Sequence, residues 1–176
     1  RYGGLYADMD YFCNRPWNEV VKNYPNDFYI TETPNKIYNE IHISNSLMYS
    51  IPKHPFWKHM LIEMQKYCHA PIYYSKHLTI MYTTGPAIIN RIFHKHKTQY
   101  KLNYYPYELF HPFGINTDLR VNVDPKVYAY HLQKGCWNTI DTNILNFFYK
   151  EHKIILFIIF VLFTPILVQK FKLLKK

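Results

Sequence analysis

At 176 residues the chain can bury one substantial core, and it is too short for two domains of ordinary size. Its formal charge of +9 suits nucleic acid, an anionic membrane surface or a phosphorylated substrate. Many of the basic residues gather near the end, at Lys150, Lys153, Lys170, Lys172, Lys175 and Lys176, and no basic patch elsewhere interleaves with a nucleic-acid motif, so nucleic acid is not expected as a partner.

Cys13, Cys68 and Cys136 stand far apart without a Cys-x-x-Cys pair, and signal neither a zinc site nor a disulfide framework. Aromatic residues make up 19% of the chain, but the heavy use of Asn, Lys, Ile and Tyr has the stamp of AT-rich coding, so each aromatic counts for less.

The segment from Leu5 to Asp10 reads as a strand, buried over Leu5-Tyr6-Ala7. It lies within a few residues of Arg1, so the chain is read as lacking an N-terminal part. Phe28 to Thr31 reads as a second strand, and Lys36 to Ile43 alternates apolar and polar residues at period two. Pro55 marks a helix start that Phe56, Met60, Ile62 and Met64 carry towards Tyr67. Another helix is expected from Pro86 through Ile88, Ile89, Ile92 and Phe93. Val127 to Leu132 reads as a late strand. Such alternation predicts an α/β domain with a mixed, mostly parallel sheet.

Residues 154–168 carry no charge and have lysines near both borders. This run is slightly under the roughly 17–25 residues of a spanning helix. Snorkelling of Lys153 and Lys170 extends its reach, so a C-terminal transmembrane helix over 154–170 is expected, with 142–153 juxtamembrane and 171–176 a basic tail. The other reading of this run is a buried core helix.

Asp8 and Asp10 carry the chemistry. With one residue between them they share a face of a strand, and at its end both can turn towards one ion. Two carboxylates attract Mg²⁺ or Mn²⁺, which keeps coordination sites open for substrate phosphates. The bare pair is a weak signal. The longer string Tyr2-Gly3-Gly4-Leu5-Tyr6-Ala7-Asp8-Met9-Asp10 is specific, and it resembles the Gly-Gly-x-Tyr-x-Asp-x-Asp signature of the DXD-containing glycosyltransferase family 32, which includes initiating α-1,6-mannosyltransferases and inositol-phosphoceramide mannosyltransferases. The resemblance continues, in the family's order and spacing, at Ile43-Ser44-Asn45-Ser46, Pro52-Lys53-His54-Pro55-Phe56-Trp57 and Thr84-Gly85-Pro86. It ends at Tyr130-His131-Leu132-Gln133-Lys134-Gly135-Cys136-Trp137, where Gln133 replaces the family's Trp and Cys136 its Ser.

The resemblance implies a GT-A-type nucleotide-sugar transferase domain over residues 1–141, without the earlier βαβ unit that helps hold base and ribose. It implies Asp10 as a direct ligand of Mn²⁺ or Mg²⁺, Asp8 in the ribose and metal shell, and His131 completing the metal site. It also implies donor-binding roles for Asn45, Thr84, Gly85, Pro86 and Trp137. The alternatives are a turn-forming Asn45, a helix start capped by Thr84, and packing for Trp137. His54 and Trp57 read as structural. His94 and His96, two apart, do not share a helix face and read as solvated. No protein nucleophile stands out.

The implied activity is metal-dependent, retaining transfer of a hexose, with mannose from GDP-mannose as the expected donor. The acceptor is expected to be a lipid headgroup such as inositol phosphoceramide, at a Golgi or endoplasmic reticulum membrane. The same chemistry on a protein-linked or capsular glycan is an open alternative, as is an inactive membrane-anchored carbohydrate-binding protein.

Overall fold

The computed structural model describes residues 2–34, 41–113, 123–132 and 139–174, with side chains of 149 and 165–174 left aside. Strand β1 covers Gly4–Ala7, and after a two-residue turn β2 covers Tyr11–Cys13. Helix α1 (Trp17–Asn23), β3 (Phe28–Glu32) and β4 (Ile43–Ser50) follow. Then come α2 (Pro55–Gln65), α3 (Lys76–Thr83) and α4 (Pro86–His96). The short β5 (Asn103–Tyr105), α5 (Tyr107–Phe110) and β6 (Ala129–His131) precede the long α6 (Ile140–Leu174).

Pro55 and Pro86 each stand in the first turn of their helix, where the missing N–H costs nothing and the fixed φ is already helical. The main sheet runs β1-β4-β3-β5, and β2 pairs with β6 in a separate ribbon. The β1–β4, β3–β4 and β2–β6 pairs are antiparallel and the β3–β5 pair is parallel. The mixed α/β architecture is thus present, but the described pairings are mostly antiparallel where a mostly parallel sheet was expected.

Every residue of β3 is buried. On one side of the sheet Phe28, Ile30 and Ile43 pack with Phe56 and Met60 of α2 and with Ile88, Ile89, Ile92 and Phe93 of α4. A second, aromatic cluster gathers Val20, Tyr29, Leu47, Tyr105, Phe110 and Tyr128, with Tyr11 and Trp17 at its margin. Trp57 packs on the first cluster and donates its indole N–H to Ser50 Oγ at 2.7 Å. His54 is buried with its ring centroid 5.2 Å from that of Phe28.

Four further expectations need correction or fall partly outside the described residues. β1 is exposed along its length rather than buried, because it forms an edge of the sheet. The period-two stretch from Lys36 lies outside the described residues as far as 40, residues 41 and 42 are irregular, and the strand begins at Ile43. His96 is buried rather than solvated.

The fourth correction concerns the C-terminal transmembrane helix. Although α6 is 35 residues long, among the described residues no helix is long and apolar enough to cross a membrane. Asp141, Lys150, Glu151 and Lys153 punctuate its first half, and the uncharged run between Lys153 and Lys170 stays under the roughly 17–25 residues required. The single-pass arrangement and the membrane localisation built on it lose their support.

The chain divides into two compact units, one of Arg1–Tyr74 with Leu78–Gly135 and one of Ser75–His77 with Cys136–Lys176. In the second, Asp141 accepts hydrogen bonds from the Thr139 hydroxyl and, at 2.7 Å, from the His77 backbone N–H. These donors hold its carboxyl well below the usual carboxylate range, and the negative charge sits in the first turn of α6, where the helix dipole favours it.

Candidate metal centre

The glycine-rich opening brings the chain into position. Gly3 has φ +70°, and a Cβ there would fall 2.5 Å from Pro52 N and 2.7 Å from Ser50 O, which are backbone atoms that cannot yield. From this tight start β1 pairs with β4, Gly4 against Ser50 and Ala7 against Leu47. At Asp8 the chain leaves that pairing. The Asp8 N–H donates to Ser46 O at 2.8 Å, and Asp8 O accepts from the Tyr11 N–H at 3.1 Å, closing a turn over Met9 and Asp10. The chain then enters β2, where Tyr11 lies opposite His131 in the ribbon with β6. Leu132 N–H donates back to Asp10 O at 2.8 Å.

These constraints bring three chemically useful side chains together. His131 Nε2 lies 2.9 Å from Asp10 Oδ1 and 3.6 Å from Asp8 Oδ2. One ligand atom from each of Asp8, Asp10 and His131 lies within 4.8 Å of the other two. All three are partly exposed, so the centre opens to solvent. Two carboxylates and an imidazole are a donor set that Mn²⁺ accepts, and the open side leaves positions for further oxygen ligands. With His131 donating its Nε2–H to Asp10, ligation requires that proton to move to Nδ1 or to solvent.

Around the centre lie residues to which the sequence reading gave no role. Tyr6 donates its hydroxyl to Asp8 Oδ1 at 2.7 Å, and this bond to a carboxylate raises the phenol's pKa. Tyr11 stacks on His131 with ring centroids 5.0 Å apart and an interplanar angle of 26°. Burial pushes its phenol well up, partly offset by hydrogen bonding to Ser46 and Thr31. His111 is buried edge-on to His131 at 5.3 Å. Burial lowers its pKa to about 4, so the ring is neutral near pH 7. Tyr6 and Tyr11 flank the aspartates in sequence, and Tyr6 is the Tyr of the signature itself, which are the signals that could have marked them.

The remaining expected site residues lie on other elements or outside the described residues. Asn45 lies in β4 where the register against β3 shifts, Ile30 facing Met48 and Thr31 facing Ser44, so 45–47 form a bulge next to the carbonyl that receives Asp8. Thr84, Gly85 and Pro86 form the corner between α3 and α4. The N–H groups of Thr84 and Gly85 both donate to Ile80 O, and a Cβ on Gly85 would meet that oxygen at 2.8 Å. The corner is tied to the main sheet through α4, whose Asn90 Oδ1 accepts from the Ile43 N–H at 3.0 Å. Trp137, Gln133 and Cys136 lie outside the described residues.

Comparison with known proteins bears directly on this centre. Inositol phosphoceramide mannosyltransferase 2 of Schizosaccharomyces pombe is 32% identical over 98 residues, which is 56% of this chain and 26% of that one. Inositol phosphoceramide mannosyltransferase 1 of the same yeast is 26% identical over 159 residues, 90% of this chain and 44% of that one. The mannosyl phosphorylinositol ceramide synthase CSH1 of Saccharomyces cerevisiae is 29% identical over 96 residues, 54% of this chain and 23% of that one. The chain resembles the inositol phosphoceramide mannosyltransferases. It spans less than half the length of each of these curated relatives. No protein-family model matches the chain, and no solved structure matches it.

Proposed function

We propose that the chain carries the metal and nucleotide-sugar end of a glycosyltransferase that moves mannose from GDP-mannose to an inositol phosphoceramide headgroup. The observation that carries this reading is the meeting of Asp8 and Asp10 from the β1–β2 turn with His131 from the end of β6, across more than a hundred residues of sequence. The names of the similar proteins support the substrate class.

When bound, Mn²⁺ or Mg²⁺ would offset the charge that develops on a departing nucleoside diphosphate. The chain's own residues do the rest. Asp10, buttressed through its backbone by Leu132 and facing His131, supplies a fixed carboxylate. Asp8, pinned by its N–H to Ser46 O, presents a second, with Tyr6 donating to one of its oxygens. Tyr11 holds the His131 ring by stacking and by the β2–β6 register, and acts as a positioning residue. The neutral imidazole of His111 adds no competing positive charge beside the centre.

The test is transfer of labelled mannose from GDP-mannose to purified inositol phosphoceramide, with Mn²⁺ present or chelated. Manganese-dependent transfer that Asp10→Ala reduces about 10²–10³-fold supports the proposal. Transfer to a glycan acceptor instead would retain the chemistry and sink the lipid assignment, and undiminished transfer by Asp10→Ala would sink the centre.

A further inference from the structure

A second group of titratable side chains lies away from the aspartates, on the helices. His59 and Glu63 stand one turn apart on α2 and share a face, and His96 ends the buried face of α4. One ligand atom from each lies within 4.8 Å of the other two. Glu63 and His96 are only 6% and 7% exposed. His59 Nε2 and His96 Nε2 are buried with no hydrogen-bond partner, although the two rings approach to 4.0 Å between centroids. Two imidazole nitrogens turned towards one space without a partner are a costly arrangement unless something occupies that space.

The other nitrogen of each ring is held. His96 Nδ1 donates to Gln99 Oε1 at 3.0 Å, which leaves Nε2 as a lone-pair acceptor. His59 Nδ1 faces the Tyr100 hydroxyl at 3.3 Å. Both partners come from the turn after α4, where Lys101 adopts φ 50° and Leu102 N–H closes on Lys97 O at 3.0 Å. Outer hydrogen bonds to the ring nitrogen that faces away from the ion are the usual support of a metal-ligating histidine.

We propose that His59, Glu63 and His96 form a second cation site, suited to Zn²⁺, that ties α2 to α4. Two imidazoles and one carboxylate match the three-ligand sets that bind zinc with a water in the fourth position. His59 Nε2 is 3.9 Å from Glu63 Oε1, and ligands at about 2.0–2.1 Å from a tetrahedral ion stand about 3.3 Å apart, so modest side-chain movement closes the set. Glu63 is meanwhile neutralised by Lys66 and Lys95, the latter at 3.0 Å. Their hydrogen bonds hold its carboxyl down at about 2, so it is ionised at any physiological pH. Both lysine side chains are more than half exposed, so they can swing into solvent when an ion takes the carboxylate.

The experiment uses the full chain with Asp8→Ala and Asp10→Ala combined, so that the aspartate centre cannot contribute. One equivalent of Zn²⁺ is expected to bind by calorimetry, Co²⁺ to give the intense visible bands of a tetrahedral site, and the ¹⁵N resonances of His59 Nε2 and His96 Nε2 to move on zinc addition. Adding His59→Gln and His96→Gln is expected to weaken binding by at least ~100-fold. Lys95→Met, which removes a competing cation, is expected to tighten it several-fold. Absence of stoichiometric zinc, or of movement in those two resonances, overturns the proposal whether or not the histidine variant folds. Unweakened binding in a folded histidine variant, or affinity unchanged by Lys95→Met, also counts against it.

Discussion

Asp8, Asp10 and His131 come from a turn and a strand end where two sheets meet, whereas His59, Glu63 and His96 come from the faces of two packed helices. The first set is oxygen-rich and open to solvent; the second is nitrogen-rich, with two of its three members buried. Each rests on a different core. His131 stacks on Tyr11 at the margin of the aromatic cluster, while Met60 and Phe93, neighbours of His59 and His96 along their helices, belong to the aliphatic one. Openness suits a site that exchanges a phosphate-bearing ligand, and enclosure suits one that fastens structure.

The sharpest way to separate the two is through their cores. Phe93→Ala and Phe110→Ala each empty a fully buried site and are expected to cost about 3–5 kcal/mol in denaturant unfolding. If the two regions are independent, Phe93→Ala lowers zinc affinity with little change in manganese affinity, and Phe110→Ala does the reverse.

Asp10→Ala is expected to reduce mannose transfer about 10²–10³-fold while leaving thermal stability near wild type, because the carboxylate is partly exposed. A fall in zinc binding in that variant would show the two centres to be coupled.

Tyr11→Leu removes the ring that backs His131 and is expected to weaken Mn²⁺ about tenfold by calorimetry. Tyr11→Phe is expected to stay near wild type, since it keeps the stacked ring and gives up only the hydroxyl's bonds to Ser46 Oγ, at 3.3 Å, and to Thr31.

The smallest effect is a pH dependence from a histidine outside both sets. Burial lowers the pKa of His54 below its ordinary 6.5, so the unfolded chain binds the proton more readily. Its contribution to stability is therefore full above about pH 6.5 and lost as pH falls below it. His54→Leu is expected to flatten the urea-midpoint profile between pH 7 and 5 relative to wild type, in the presence of chelator. An unchanged slope would assign the dependence to other groups, first among them His111, whose pKa burial lowers to about 4.

The difference between the centres also explains what could be read in advance. Asp8 and Asp10 are two residues apart, so local geometry places them together without knowledge of the fold. The late strand that carries His131 was legible, but its approach to the aspartates was reachable only through the family resemblance, since nothing local pairs β2 with β6. β4 escaped for a related reason. The bulge at 45–47 gives it a burial pattern that alternates in pairs rather than singly.

The helix cluster left a signal that went unused. The apolar stripe of α2 runs through Phe56 and Met60 to Glu63, and that of α4 through Ile88, Ile89, Ile92 and Phe93 to His96. A charged or titratable residue that continues a buried stripe requires a partner, and comparing His94 with His96 alone concealed it. For α6, the uncharged run was measured on its own, without the charged residues up to Lys153 that share its helix and leave no helix among the described residues long and apolar enough to cross a membrane.

The ribbon that carries His131 is only three pairs long, and a two-stranded ladder of that size barely holds its own alignment. A slip of one residue would turn His131 to the opposite face and carry its imidazole away from both carboxylates. The aspartate turn thus acts as a gauge of pairing: only the alignment of Tyr11 with His131 closes the triad. An insertion between Asp10 and Tyr11, or within 129–131, would erase the centre without altering any of its three residues.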